Sequence, residues 1–346
     1  MSWPSAIINV INQENVAVTG EGEVDGDGKY LWDTYWQMRK DYDKKGLRWI
    51  VDYDCKRVRS LLVSESKNVN ISGLTFLRSG FWTIQLLYSS YCTVSGVNIR
   101  NNTDGHGPST DGIDVDSSHH ILIDACDIDC NDDNICLKAG RDADGLRVNR
   151  PTEYVFIRNC IARKGAGLMT CGSETSGDIR YICCTESRAL GTSAALRIKS
   201  AMTRGGTVEH IYMSKVQADS VKYILNCDMN WNPSYSYSTL PTEYEGKNIP
   251  AHWKVMLQEV SPEQGLPHFR NIYLSDIEAK NTGVFVNCVG TEKSIIQDVE
   301  MKNLAIHAEK AGIVCYTDNF RIRDSRLQMT DGSTIETHHN GNLLLE

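Results

Sequence analysis

A short apolar pattern returns along the chain at intervals that suit a coiled solenoid. Each copy has three apolar or small residues separated by polar ones, as in residues 71–76, 94–99 and 123–128. This alternation is the periodicity of a strand, and no long segment keeps the 3.6-residue period of a helix. Further copies begin at Ile157, Ile182, Met213, Leu274, Met301 and Ile322, with a weaker one at Val18.

The spacing of the copies narrows the fold. Most starts lie 21 to 34 residues apart, and the 61-residue interval from Met213 to Leu274 is interpreted as two coils with an inserted loop. A strand at that spacing is too sparse for a hairpin sheet but fits one face of a coil with two or three strands per turn. The sequence therefore predicts an all-β fold, a right-handed parallel β-helix, with equivalent residues stacked about 4.8 Å apart.

No domain boundary interrupts the pattern, so residues 1–346 are predicted to form one β-helix domain. Two aromatic-rich stretches, residues 28–59 and 225–268, lie outside the repeat. Because long loops on a rigid scaffold often carry binding residues, we interpret both as loops that wall a groove.

Composition excludes several classes of protein. The net charge of −8 argues against nucleic-acid binding, which usually needs a basic surface. The 12 cysteines form no zinc-binding pattern and are expected to be free, with Cys126 and Cys160 stacked inside at one repeat position. No stretch approaches the ~20 apolar residues of a membrane span, and residues 1–4 do not resemble a secretory signal.

Acidic residues are densest in residues 109–116 and return in residues 131–134. Asp111 and Asp132 are 21 residues apart, about one coil, which predicts that they and Asp133 project from one side of adjacent turns. Carboxyl groups held that close cannot all ionise, so a protonated acid stays beside a charged base. Glycoside hydrolysis needs this pair. A single Asp in a turn more often caps its own backbone, so it is the convergence that favours a site.

Four ordered motifs resemble those of glycoside hydrolase family 28, the polygalacturonases, over roughly residues 7–330. They are Thr-Asp-Gly-Ile-Asp at 110–114, the pair Asp132-Asp133, Gly-Ala-Gly at 165–167 and Arg-Ile-Lys at 197–199. The resemblance implies inverting hydrolysis of an α-linked galacturonic acid bond in pectin, in polygalacturonate or rhamnogalacturonan oligosaccharides. It implies that Asp132 is the general acid and that Asp111 and Asp133 position and deprotonate the attacking water.

A literal copy of the family's Asn-Thr-Asp occurs at residues 102–104 and is interpreted as a decoy. It lacks the apolar and acidic strand that follows Gly112. If it were the true motif, Asp104 would replace Asp111.

The basic residues of the last motif suit an anionic sugar. Arg197 and Lys199 alternate on a predicted strand, so both are expected to face a uronate carboxylate. Further candidates for substrate binding, each as well explained as plain surface, are Lys138, Glu174 and Arg204. No cofactor or metal is expected, because His119 and His120 should face opposite ways and such hydrolysis needs no metal.

Ala166 departs from the family, which has a histidine between the two glycines. That histidine assists the acid, and rhamnogalacturonan-cleaving relatives manage without it, so a rhamnogalacturonan hydrolase stays open. Two other interpretations are a pectate-lyase-like enzyme with calcium-bound carboxylates and an inactive carbohydrate-binding β-helix. Residues 172–177, Gly-Ser-Glu-Thr-Ser-Gly, resemble the bacterial, often exo-acting branch.

Family members normally carry more coils or a cap before the segment that matches residues 16–20, whereas about 15 residues precede it here. An uncapped coil exposes unpaired strand edges, which leaves two interpretations: the sequence lacks the usual N-terminal coils or cap, or the open end is covered by another subunit in a homo-oligomer. The family resemblance also implies a periplasmic or secreted enzyme.

Overall fold

Strands rich in β-branched residues, separated by tight turns, wind the chain into a parallel β-helix with three strands per coil. The computed structural model describes residues 6–346, so residues 1–4, on which the prediction about a secretory signal falls, lie outside the described part. The predicted all-β parallel β-helix is confirmed. Three sheets, defined below in stacking order with strands numbered along the chain, run the length of the helix.

The first sheet contains β1 (Ala6–Ile11), β4 (Arg59–Ser64), β7 (Ile84–Leu87), β10 (Ile113–Asp116), β13 (Ile135–Lys138), β16 (Met169–Cys171), β19 (Ala194–Lys199), β21 (Tyr223–Asp228), the ends of β22 (His268–Val289) and β23 (Ile296–Cys315), and β26 (Glu336–His338). The second contains β2 (Glu14–Thr19), β5 (Lys67–Ser72), β8 (Ser90–Ser95), β11 (His119–Asp124), β14 (Thr152–Arg158), β17 (Ile179–Thr185), the starts of β20 (Thr207–Asp219), β22 and β23, then β24 (Thr317–Arg323) and β27 (Leu343–Leu345). The third contains β3 (Glu23–Asp25), β6 (Thr75–Leu77), β9 (Asn98–Arg100), β12 (Asp127–Asp129), β15 (Ile161–Ala162), β18 (Arg188–Leu190), later parts of β20, β22 and β23, and β25 (Arg326–Met329).

Apolar ladders fill the inside of the helix. In the first sheet one buried ladder runs through Val63, Leu86, Val115, Leu137 and Cys171 on successive coils. Each fully buried aliphatic side chain contributes about 1.5–3 kcal/mol to folding, so the ladders fix the register of every strand. The outward residues of the first sheet are thereby aligned in rows.

The predicted copy of the repeat at Ile182 was placed two residues too early. The residue that stacks on Ile157 and Met213 is Cys184, whereas Ile182 stacks on Val155 two positions earlier. The copy was misplaced because Ile182 fits the apolar pattern better than the small Cys184, which is the residue that continues the ladder.

The 61-residue interval is one coil, not two. Met213 pairs directly with Leu274, and β21 supplies the first-sheet strand of that same coil. The extra length is the insertion between β21 and β22. Cysteine predictions are confirmed: all 12 are free, and Cys126 and Cys160 are buried at equivalent positions.

Helices occupy the two segments interpreted as long loops. The first insertion, between β3 and β4, holds α1 (Lys29–Lys44) and α2 (Val51–Asp54), and the second holds α4 (Pro233–Ser236), a 3₁₀ helix (Thr242–Tyr244), α5 (Ala251–Met256) and α6 (Pro262–Gly265). Another helix, α3 (Asp142–Val148), follows β13. In residues 6–346 we find no helix with the length and apolar character to cross a bilayer.

Candidate active site

The acidic residues meet where the chain enters the first sheet. Asp111 lies two residues before β10, and Asp132 and Asp133 lie just before β13. The pairing of Ile113 with Ile135 places Asp111 beside Asp133, not Asp132, at the same position of the next coil. The predicted convergence of the three acids on adjacent turns is therefore present, with the partner shifted by one residue.

Asp133 is held as a carboxylate by cations from two coils further along. Lys199 Nζ lies 2.8 Å from its Oδ2, Arg197 Nη1 lies 3.3 Å from its Oδ1, and Thr170 Oγ1 donates to the same Oδ1 at 2.7 Å. Burial alone would raise the pKa of Asp133, but Lys199, Arg197 and Lys138 outweigh it and hold that pKa well below its usual range. These contacts thus favour the charged form of Asp133.

Asp132 has the opposite tendency. Its side chain is half-buried, one of its oxygens accepts only the N–H of Asp133 at 3.0 Å, and it makes no ion pair in the described part of the chain. Burial, and then the charge of Asp133, raises the pKa of Asp132. Two neighbouring carboxyl groups therefore have separated pKa values, which is the arrangement of an acid beside a base.

Asp111 and Asp114 are buried together beneath them. Asp111 is 2% exposed and Asp114 is fully buried. Burial, followed by the charges of Asp114 and Asp132, raises the pKa of Asp111, and burial raises the pKa of Asp114 to about 8. Lys138 Nζ is 3.6 Å from a carboxylate oxygen of each.

Predicted substrate-binding residues fall into two groups. Arg197 keeps 15% of its side chain exposed and, with Lys199, lies under the Trp231 ring, 5.5 Å and 4.5 Å from its centre. Lys199, Lys138, Glu174 and Arg204 are each 9% exposed or less.

Arg204 does not reach the groove. Its side chain is fully buried, forms an ion pair with Asp142, and donates from Nε to the Ser173 carbonyl at 3.1 Å. It supports the segment that carries Glu174, so direct contact with a ligand is not expected of it.

The structure also places Asp104, His119 and His120, which were excluded from the predicted site. Asp104, in the decoy motif, is 69% exposed in its side chain and pairs with Lys29 on the surface. His119 and His120 do not face opposite ways: their Nδ1 atoms are 2.8 Å apart, because His120 adopts a left-handed backbone conformation that turns its ring back.

Asp111, Asp133 and Cys136 offer atoms within 4.8 Å of one another. The oxygens of Asp133 already accept from Lys199, Arg197 and Thr170, so we assign no metal to this cluster.

The two insertions meet above the first sheet. Trp49 packs edge-on against Trp253 with ring centres 5.7 Å apart. On one side Asp52 accepts from the Ser109 hydroxyl at 3.2 Å, two residues before Asp111, and on the other Tyr235 donates to Glu174 at 3.2 Å. The predicted loops that wall a groove are therefore helical segments, joined over the entry to the acid cluster.

Several residues of the site carry no motif of their own. Thr170 and Cys136 sit in one outward row between Asp114 and Arg197, and Trp82 occupies the position of Asp111 one coil earlier. The register of the first sheet reveals them, because Thr170 and Cys136 lie in strands of that sheet and Trp82 lies two residues before β7.

A β-helix that carries two neighbouring carboxyl groups with oppositely shifted pKa values, beside two basic residues, has the features of a glycoside hydrolase. The sequence profile of glycosyl hydrolases family 28 matches residues 2–251, and the chain belongs to that family. The predicted resemblance is confirmed.

Known proteins agree with this assignment. The chain is 26% identical over 317 residues to a probable polygalacturonase of Vitis vinifera, covering 90% of this chain and 57% of that protein. It is 26% identical over 312 residues to an endo-polygalacturonase of Pectobacterium carotovorum, covering 88% and 66%. The exopolygalacturonase of Thermotoga maritima shares the fold, with a TM-score of 0.70 at 21% identity over 96% of this chain and 72% of that one. The chain spans less than two thirds of both sequence relatives.

Proposed function

We propose that the protein hydrolyses α-linked galacturonic acid bonds in pectic oligosaccharides or polysaccharides, with inversion at the anomeric carbon. Asp132 gives its proton to the leaving glycosidic oxygen. Asp133, with Asp111 beside it, orients the attacking water and takes its proton. The single observation that carries the proposal is the opposite protonation tendency of the adjacent Asp132 and Asp133.

The uronate is recognised by Arg197, one of the two cations that also hold the base, whereas Lys199 is 5% exposed in its side chain and holds Asp133 charged. Arg197 is the more exposed of the two and has the planar geometry that binds a carboxylate through two hydrogen bonds. The half-buried Trp231 beside it provides an apolar surface for a sugar ring. A galacturonosyl unit placed there has its carboxylate next to Arg197 and its scissile oxygen next to Asp132.

The joined insertions favour attack at a chain end. A long polymer needs a groove that is open on both sides, whereas here Asp52 and Tyr235 approach the acid cluster from the two insertions. We expect short products, of one or two sugars. Self-association through the first coil, β1 to β3, stays a prediction that light scattering would test. Localisation outside the cytoplasm, in the periplasm or as a secreted enzyme, also stays a prediction.

The direct test is incubation with polygalacturonate, rhamnogalacturonan fragments and short oligogalacturonides, followed by identification of the released sugars. We expect galacturonate or its dimer from the first and third substrates. Release of neither, together with cleavage of rhamnogalacturonan, would contradict the preferred substrate. An unsaturated product that absorbs in the ultraviolet would instead establish a lyase.

A further inference from the structure

Lys138 lies at the centre of the site. Its Nζ is 3.6 Å from Asp111 Oδ2, 3.6 Å from Asp114 Oδ1 and 3.4 Å from Glu174 Oε2. The Trp82 ring covers it, with Nζ 4.7 Å from the ring centre, and only 5% of the side chain is exposed. The ammonium group therefore faces three carboxylates and an indole, and is not available to bind a sugar directly.

Asp111 depends on this cation. In residues 6–346, its Oδ1 accepts no hydrogen bond and Lys138 is the one cation in ion-pair contact with Oδ2. Asp133, by contrast, has both Lys199 and Arg197. A buried carboxylate with one uncompensated oxygen tends to take up a proton unless a nearby positive charge holds it ionised.

Glu174 competes for the same cation. Tyr235 and Ser173 donate to its Oε1 at 3.2 and 3.3 Å, which leaves Oε2 towards Lys138. Burial alone would raise the pKa of Glu174, but Lys138 and two buried arginines outweigh it and lower that pKa to about 2. Glu174 is therefore charged whenever Asp111 titrates, and its charge opposes ionisation of Asp111.

We propose that Lys138 is a positioning residue whose charge favours the ionised form of Asp111 beside the attacking water, against the burial and the neighbouring acids that oppose ionisation, and that Glu174 moderates this effect. The inference rests on the proposed hydrolysis, in which Asp111 assists Asp133. The titratable groups that face Lys138 or Asp111 are Asp114, Asp116, Cys130, Asp132, Asp133, Cys136 and Glu174.

The test compares two variants that change one charge each. Lys138→Met should move the acidic limb of the pH profile of kcat/KM up by about one pH unit, since a cation within 4–6 Å lowers a carboxyl pKa by about 1–3. Glu174→Gln keeps an acceptor for Tyr235 and should move the same limb down by roughly half a unit. Lys215→Met, at an exposed pair with Glu186, is the matched control and should move nothing.

The alternatives give different results. A substrate ligand predicts a raised KM for Lys138→Met with the limb in place, and a purely structural lysine predicts less folded protein with an unchanged profile. Either result overturns the inference. If the wild type cleaves no pectic substrate, the proposed function fails, but the role of Lys138 can still be tested by thermal unfolding. The Tm of Lys138→Met should fall further below that of the wild type as pH rises from 4 to 7. A Tm difference that stays constant over this range overturns the proposed role of Lys138.

Discussion

Asp132 and Asp133 are chain neighbours with the same side chain, yet their pKa values are shifted in opposite directions because different groups surround them. Asp133 contacts Lys199, Arg197 and Thr170, whereas Asp132 is half-buried and, after burial, the charge of Asp133 is the main cause that raises its pKa. The separation comes from the β-helix, which brings two cations from two coils away into ion-pair contact with Asp133 but not with Asp132.

Asp132→Asn is nearly isosteric and removes the proton that the leaving oxygen needs. We expect kcat to fall by roughly 10²- to 10⁴-fold, the contribution typical of a general acid, with an unchanged circular dichroism spectrum and Tm within a few degrees. Assays on oligogalacturonides measure the loss. Full activity in this variant would remove Asp132 from the mechanism.

The raised pKa of Asp132 also determines how activity changes on the alkaline side of the pH profile. The acid form is the active one, so activity should fall as pH rises through its pKa. In the proposed mechanism the acidic limb reports the ionisation of Asp111, because Lys199 and Arg197 hold the pKa of Asp133 well below its usual range.

At the element scale, the two insertions convert an open β-helix face into a covered site. Trp253 is central to their contact, since it packs on Trp49 and Tyr244 and donates from Nε1 to Asp54 at 3.0 Å. The rest of the β-helix does not depend on it, because its core is a separate apolar cluster.

Trp253→Ala should loosen this contact and open the covered end. We expect longer oligogalacturonides among the first products of polygalacturonate, and faster proteolysis between residues 231 and 265, measured by chromatography and mass spectrometry. Tyr212→Ala, which removes an exposed ring on the second sheet, is the control. Unchanged product lengths despite faster proteolysis would show that the insertions do not set them.

The sequence predicted the coils better than it predicted the insertions. Strand alternation marks every coil because the buried ladder demands an apolar residue at fixed positions. The helix α1 went unpredicted because its buried face is short, with Trp32 and Tyr35 as its fully buried residues, and charged residues fill the rest.

The sequence predicted the site residues that belong to a motif and missed those that reach the site only through the stacking of coils. Asp111, Asp133 and Arg197 converge as predicted, whereas Thr170 and Asp114 acquire their roles from partners on other coils. Lys138 was predicted to bind the substrate because a sequence does not show how deeply a side chain is buried. Its depth below Trp82 places it with the acids instead.

For the whole molecule, the buried acids make stability depend on pH in two directions. Asp114 has a pKa of about 8 in the folded protein, so it keeps a proton that the unfolded chain releases near pH 4, and its contribution is lost as pH rises through about 4 to 8. Glu174, with a pKa of about 2, stabilises the fold above pH 4 and loses that effect as pH falls.

Asp114→Asn removes the first of these effects while keeping the shape of the side chain. Relative to the wild type, its Tm should rise between pH 5 and pH 8, because the buried wild-type carboxyl loses its proton over this range at a cost to the fold and the amide has none to lose. Calorimetry at several pH values measures it. A Tm difference that does not vary with pH would mean that Asp114 ionises freely in the folded state.

The most direct test of the account is the configuration of the sugar first released from trigalacturonate, followed by proton NMR before the anomers equilibrate. A water held by Asp133 and Asp111, opposite the proton of Asp132, predicts the β-anomer from the α-linked substrate, and Asp132→Asn should release almost none. The α-anomer as the first product would contradict direct attack by water, and with it the assignment of these carboxylates.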